Sequence, residues 1–199
     1  MKISVVDLTV GYGSNSILTG INFTLVENSL IALIGVNGSG KTTLLETLMG
    51  EIPAINGEVT PELVGRASFL PQDVDDPPFL TIKEVVETGF HVGNFDQNVM
   101  ELLDTCEISH LYDRKFSELS GGEKKRAWLS FILAQNRELI FLDEPFSAID
   151  HQSKEDFYKL LRNISASGKT IFVVSHDSEL ISKHADKILE ARGNRIYEV

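Results

Sequence analysis

The sequence is poor in cysteine and lacks long apolar runs, and both shortages exclude classes of protein. Cys106 is the single cysteine among 199 residues, so no disulfide can form within the chain, and this composition is typical of a reducing compartment. No run of about 18 apolar residues occurs, and no long apolar stretch follows Met1 and Lys2, so neither a membrane-spanning helix nor a secretion signal is predicted. We therefore expect a cytoplasmic chain, unless a partner holds it at a membrane.

Basic residues are also scarce relative to acidic ones. The chain has 18 Lys and Arg against 29 Asp and Glu, which gives a formal net charge of −11. Proteins that bind nucleic acid rely on Lys and Arg to neutralise phosphates, so a nucleic-acid partner is not expected. A content of 42% hydrophobic and 24% charged residues is typical of one soluble globular domain.

Short apolar runs alternate with longer amphipathic segments, a pattern that predicts an α/β fold with a mostly parallel sheet. Two runs, 30–34 and 139–142, are apolar at every position, as is typical of central strands buried on both faces. Further strands are predicted at 3–10, 21–26, 67–70, 170–174 and 187–190, and Gly193-Asn194 indicates a closing hairpin turn.

The pattern becomes helical between residues 72 and 117. Thr81 and Glu84 fit a capping box, and residues 98–106 have helical apolar spacing. We therefore predict a single domain over 1–199, with a core of 1–72 and 136–199 and an inserted helical lobe of about 73–135. Asp73, Asp75 and Asp76 precede two prolines and indicate an acidic, solvated turn.

A glycine-rich loop lies between the apolar run at 30–34 and a helical segment that ends near Met49. It matches the spacing G-x-x-x-x-G-K-[ST], the Walker A phosphate loop, whose glycines allow backbone N–H groups to point at an anion. In such a loop Lys41 contacts the β- and γ-phosphates of a triphosphate and Thr42 coordinates Mg²⁺. The alternative is a turn that only caps a helix. The predicted nucleotide-binding residues are Gly35, Asn37, Gly38, Ser39, Gly40, Lys41, Thr42 and Thr43.

Two adjacent carboxylates follow the apolar run at 139–142, at the edge where open α/β sheets bind ligands. Asp143 is predicted to hold Mg²⁺ and Glu144 to act as the general base that activates water. Neighbouring strand residues point to opposite sides, so these two side chains can have separate roles. A pair of surface carboxylates in a turn is the alternative interpretation.

The segment Leu119-Ser120-Gly121-Gly122-Glu123 closely resembles the signature of the ATP-binding-cassette (ABC) family, and the resemblance covers nearly the whole chain. Ser120 and Glu123 also fit a capping box for a helix over 123–134, and both interpretations can hold. The other family elements stand in their expected order: Tyr12 resembles the aromatic residue that stacks on adenine, Gln72 the Q-loop glutamine, Asp150 the end of the D-loop at 147–150, and His176 the switch histidine.

The resemblance implies a P-loop nucleoside-triphosphatase core, an amino-terminal antiparallel β subdomain and a head-to-tail homodimer or heterodimer. Two ATP molecules would lie between the phosphate loop of one subunit and the signature of the other, in contact with Ser120, Gly121, Gly122 and Glu123, with Asp150 at the dimer seam. The implied catalytic residues are Lys41, Gln72, Glu144 and His176, and the implied Mg²⁺ ligands are Thr42, Gln72 and Asp143.

The resemblance further implies an ATPase that drives transport across a membrane, bound to its inner face by separate permease subunits near Gln72 and residues 73–95. Glu123 replaces the more frequent glutamine, as in metal-chelate importers, and no exporter-like acidic loop precedes the signature, so an importer is favoured over an exporter. Two alternatives are a soluble ABC ATPase of iron-sulfur cluster assembly and a nucleic-acid-associated ABC ATPase. The second normally has two cassettes or a coiled-coil insert, which this chain lacks.

Overall fold

Two sheets and a set of helices organise the chain in the computed structural model, which describes residues 3–61, 63, 65–90, 98–146 and 149–199. The strands are β1 (Ile3–Tyr12), β2 (Asn15–Leu25), β3 (Leu30–Gly35), β4 (Asn56–Thr60), β5 (Ala67–Leu70), β6 (Leu139–Asp143), β7 (Thr170–Val174), β8 (Lys187–Arg192) and β9 (Arg195–Glu198). The helices are α1 (Lys41–Met49), α2 (Ile82–Thr88), α3 (Val99–Thr105), α4 (Gly121–Ala134), α5 (His151–Ala166) and α6 (Ser178–His184).

The larger sheet has six strands in the order β5-β6-β7-β3-β8-β9, parallel except for β9. The smaller sheet is antiparallel, with the order β2-β1-β4. Helices α2, α3 and α4 lie between β5 and β6 in the chain and pack on one another. The predicted α/β class, with its amino-terminal antiparallel sheet and helical insertion, is confirmed. The boundaries of core and lobe stay a prediction.

Strand β3 occupies the centre of the core, since its first four residues are fully buried. Alternate side chains enter different clusters: Leu30 and Ala32 pack with α5, α6 and the inserted helices. Ile31 and Leu33 pack with α1 and the small antiparallel sheet. This burial on both faces explains the continuous apolar run, as the sequence predicted.

Two strands differ from the sequence prediction. Strand β4 was not predicted, because its residues Asn-Gly-Glu-Val-Thr are polar and mostly exposed at a sheet edge, where no apolar alternation is needed. Strand β2 begins at Asn15 and not at residue 21. Its first six residues pair with β1 in a hairpin, but Asn15, Ser16 and Gly20 are exposed and only Leu18 is fully buried, so they lack a continuous apolar run. The predicted bounds 67–70 and 170–174 match β5 and β7.

Aromatic contacts join the inserted helical segments to one another, and polar contacts join them to the acidic turn that follows Gln72. Trp128 packs against Phe116 and Phe131, with ring centroids 5.1 and 5.5 Å apart. Asp76 accepts hydrogen bonds from Lys124 Nζ at 2.6 Å and from Trp128 Nε1 at 3.3 Å. The acidic turn is therefore tied to α4 by Asp76 and is not purely solvated. Within the described residues, every helix is too short or too polar to cross a membrane.

Candidate active site

The register of the large sheet aligns the ends of three strands that carry predicted site residues. Leu33 of β3 pairs with Val174 of β7, which in turn pairs with Asp143 of β6. Because parallel strands present their carboxyl ends at one edge, the phosphate loop, the two carboxylates and the His176 segment meet there. The sequence predicted this convergence.

The phosphate loop closes on its own lysine. Gly38 and Gly40 have φ values of 77° and 91°, a conformation that glycine adopts without strain. A Cβ atom on Gly40 would lie 2.6 Å from Ile17 Cγ2, so the antiparallel sheet also presses on this position. Lys41 Nζ donates to the carbonyl oxygens of Gly35 at 2.9 Å and Val36 at 3.1 Å, and Lys41 is 7% exposed. The loop is thus preformed around a buried cation.

Oxygen atoms suited to a hard cation lie beside the loop. Thr42 Oγ1 donates to Asp143 Oδ2 at 2.7 Å, and Asp143 is 1% exposed. Burial raises the pKa of Asp143, and the hydrogen bond from Thr42 opposes this shift. Asp143 Oδ1 and Ser39 Oγ are buried without a hydrogen-bond partner in the described part of the chain. Buried acceptors without a partner are rare, so this donor set fits Mg²⁺ held by a hydroxyl, a carboxylate and phosphate oxygens.

Glu144 and His176 form a polar pair at the mouth of the same cleft. Glu144 Oε2 lies 2.9 Å from His176 Nδ1, and the Glu144 backbone N–H donates to Val174 O at 3.0 Å. The glutamate side chain is 12% exposed and the histidine side chain 63%, so the histidine is the member that faces incoming ligand. The cleft has a volume of about 360 Å³ and is lined by Ile17, Asn37, Gly38, Gly40, Lys41, Thr42, Thr43, Gln72, Asp143, Glu144 and His176.

Gln72 and Tyr12 occupy the borders of this cleft. Gln72 lines it and also lines a neighbouring groove with Asp73, Asp76 and the start of α4, so it connects the cleft to the inserted helices. Tyr12 is 55% exposed at the end of β1, and its hydroxyl donates to Glu46 Oε2 at 3.2 Å. It is not among the residues that line the cleft, and its stacking on adenine stays a prediction.

The signature residues begin α4 away from the cleft of the same chain. Ser120 accepts from Glu123 N at 3.4 Å while Glu123 Oε2 accepts from Ser120 N at 2.7 Å, which completes the predicted capping box. These hydrogen bonds from Ser120 hold the pKa of Glu123 below its usual range. Ser120, Gly122 and Glu123 line a separate cleft with Ser153 and Asp156. The phosphate loop and the signature therefore do not share a pocket within one chain.

Asp150 caps α5, and its Oδ1 accepts a hydrogen bond from Ser153 N at 3.0 Å. Ser147 and Ala148, the first two residues of the D-loop, lie outside the described residues. Ile17, which lines the cleft, and Glu46, which accepts a hydrogen bond from Tyr12, were not predicted from the sequence. Helical spacing gives a signal for Glu46, because it stands four residues after Thr42 on α1.

Comparison with known proteins shows which family the chain belongs to. Residues 18–147 match the family described as ABC transporter, and the chain belongs to it. It is 30% identical over 186 residues to the zinc import ATP-binding protein ZnuC of Rickettsia conorii, covering 92% of this chain and 79% of that protein. It is 33% identical over 207 residues to the hemin import ATP-binding protein HmuV of Streptomyces coelicolor, covering 95% and 74%.

A solved structure extends the likeness to the fold. The structure of cbiO1 from Clostridium perfringens, part of the ABC transporter complex cbiONQ, superposes with a TM-score of 0.89 at 23% identity and covers 98% of this chain and 86% of that one. The chain is thus an ABC ATPase that binds and hydrolyses ATP to drive transport. The iron-sulfur alternative is not favoured by these relatives.

Proposed function

We propose that this chain is the ATPase subunit of an importer whose cargo is a metal ion or a metal chelate. The relatives named above are called zinc import and hemin import proteins, and both names describe metal-containing cargo. The observation that carries the ATPase role is the convergence of Lys41, the Thr42–Asp143 pair and the Glu144–His176 pair in one cleft. Separate permease subunits would hold the chain at the inner face of the membrane, with no nucleic acid involved.

The proposed reaction follows from the positions of these side chains. The loop N–H groups and Lys41 bind the β- and γ-phosphates, and Glu144 orients a water molecule and accepts its proton. His176, bonded to Glu144, contacts the γ-phosphate. Thr42, Asp143 and Gln72 would hold Mg²⁺, which would supply positive charge to offset the charge of the phosphate oxygens.

The separation of the signature from the cleft supports a dimer. The start of α4 has backbone N–H groups that can bind an anion, and Ser120 and Gly121 are exposed, so this end is open to a partner. We infer that two ATPase subunits, identical or different, each supply a signature to the other's bound ATP. Closure over ATP and reopening after hydrolysis would move the permease through the groove beside Gln72.

Co-expression with any permease subunits encoded beside this gene tests the proposal. The wild-type chain should enter the membrane fraction only in their presence, and cells should then take up zinc or hemin. The Glu144→Gln variant should still enter the membrane fraction but give no uptake, because it lacks only the general base. Failure of the wild-type chain to join the membrane fraction with any neighbouring permease would contradict the importer role.

A further inference from the structure

An ion pair beside His176 joins α5 to the loop that carries this histidine. Lys154 Nζ lies 3.1 Å from Asp177 Oδ2, and both side chains are only 19% exposed. Other lysine pairs on this helix are more exposed, such as Lys159 with Asp156, whose side chains are 53% and 44% exposed. The partly buried Lys154–Asp177 pair can therefore hold α5 and the loop of His176 together, whereas exposed ion pairs contribute little to stability.

The Asp177 side chain does not make the hydrogen bond that is usual at its position. It is the N-cap residue of α6, where an aspartate side chain normally accepts a bond from the helix backbone. Here the side chain makes no such bond, and its carboxylate pairs with Lys154. Its own N–H donates to Ser175 Oγ at 3.2 Å, and Ser175 is 1% exposed. Both neighbours of His176 are therefore fixed, and one of them is fixed to α5.

At the α5 end of this ion pair, Lys154 lies one helical turn after Asp150. The Asp150 carbonyl accepts from Lys154 N at 3.0 Å, and the Asp150 carboxylate accepts from Ser153 N at 3.0 Å. The first turn of α5 is thus a rigid link from Asp150 to Lys154. Any displacement of Asp150 must move the lysine that is bound to Asp177.

We propose that Lys154 and Asp177 are positioning residues that align His176 with Glu144 and couple this alignment to the position of Asp150. His176 Nδ1 lies 2.9 Å from Glu144 Oε2, while the histidine ring is otherwise mostly exposed, so its loop must supply the alignment. The inference rests on the proposed dimer, for which the family resemblance implies that Asp150 lies at the seam. Pressure from the partner subunit on α5 then adjusts the catalytic pair.

Steady-state ATP hydrolysis tests the pair with Lys154→Met and Asp177→Asn, which each remove one charge and nearly preserve side-chain size. Both should lower kcat about 10- to 100-fold, because small misplacements of catalytic groups are costly. The KM for ATP should change by less than about twofold, because no binding group is lost. The double variant should be no slower than the slower single variant, and Lys154→Arg should retain most of kcat.

Lys159→Met is the matched control, since it removes the more exposed ion pairs with Glu155 and Asp156 on the same helix and should keep wild-type kcat. Wild-type kcat in both single variants would overturn the inference, as would losses that add in the double variant. A lower melting temperature with unchanged kcat would assign the pair a structural role and also overturn it. If the wild-type chain hydrolyses ATP and the variants match it, only this inference is contradicted. If the wild-type chain shows no ATP hydrolysis, even with permease, the proposed function is contradicted too.

Discussion

At the scale of single residues, the site depends on backbone conformations as much as on side chains. Glu144 has a φ of 45°, in the left-handed region that side chains other than glycine rarely adopt. Its N–H remains bonded to Val174 O, which continues the sheet, while its side chain reaches His176. Strained residues of this kind cluster at active sites, where the surroundings hold them in place. Sequence motifs identify such a residue but give no information on its φ.

Tyr12 allows the ring and the hydroxyl to be tested separately. Tyr12→Ala should weaken ATP binding by about 1 to 3 kcal/mol, roughly 5- to 150-fold in Kd, if the ring stacks on adenine. Tyr12→Phe removes only the hydrogen bond to Glu46 and should leave the Kd nearly unchanged, so it is the matched control. Titration of each variant with a fluorescent ATP analogue measures the Kd. Equal affinity of the alanine variant and the wild type would place adenine elsewhere.

At the scale of elements, Asp186 connects two strands and a helix. It stands directly before β8, its Oδ2 accepts from Leu30 N of β3 at 2.9 Å, and it pairs with Arg162 of α5. The hydrogen bond from Arg162 holds the pKa of Asp186 below its usual range. Because the folded-state pKa is lowered, the ionised carboxylate stabilises the fold above the ordinary pKa of 3.8, and this contribution is lost as pH falls through the folded-state value.

Asp186→Asn should lower the free energy of unfolding by about 1 kcal/mol at pH 7, because a charge-assisted hydrogen bond becomes a neutral one and the partly exposed site is screened by solvent. Urea unfolding at pH 7 and in acid measures the difference. It should shrink well below pH 3.8, where the wild-type carboxylate is protonated as well. Asp104→Asn on the exposed side of α3 is the control and should have little effect at either pH. A difference independent of pH would contradict the electrostatic explanation.

How far the sequence predicts these elements depends on burial. The runs at 30–34 and 139–142 were located to within one residue of β3 and β6, because strands buried on both faces are apolar throughout. Strand β4 was missed, since an exposed edge strand can be polar. The capping boxes at Thr81 and Ser120 were predicted, because they depend only on residues three apart. The Lys154–Asp177 pair joins residues 23 apart through tertiary packing, and no local pattern indicates it.

At the scale of the whole molecule, the placement of the phosphate loop and the signature in separate clefts leads us to predict an association that depends on ATP. Glu144→Gln keeps the size of the side chain but removes the base, so bound ATP should persist and the closed dimer should accumulate. Gel filtration should then show a dimer with Mg-ATP and a monomer with ADP. Adding Ser120→Arg places a bulky cation at the start of α4 and should abolish the dimer while each monomer still binds ATP.

A Glu144→Gln chain that stays monomeric in saturating Mg-ATP, both alone and with its permease, would contradict a shared-site homodimer. Analytical ultracentrifugation at several protein concentrations provides an independent measurement of the same equilibrium. The residues of each half-site, and their division between two subunits, were predicted from the motifs and the family resemblance. The structure adds that Lys41 and Ser120 line different clefts of one chain.

The closed phosphate loop has a consequence for the speed of nucleotide capture. The bonds from Lys41 to the carbonyl oxygens of Gly35 and Val36 use two of its three N–H donors. The third can meet an arriving phosphate while the loop keeps its shape. No rearrangement of the loop must then precede association, and the observed binding rate should rise in proportion to nucleotide concentration without a plateau. Slow steps in the cycle would therefore follow capture and belong to the movements between subunits.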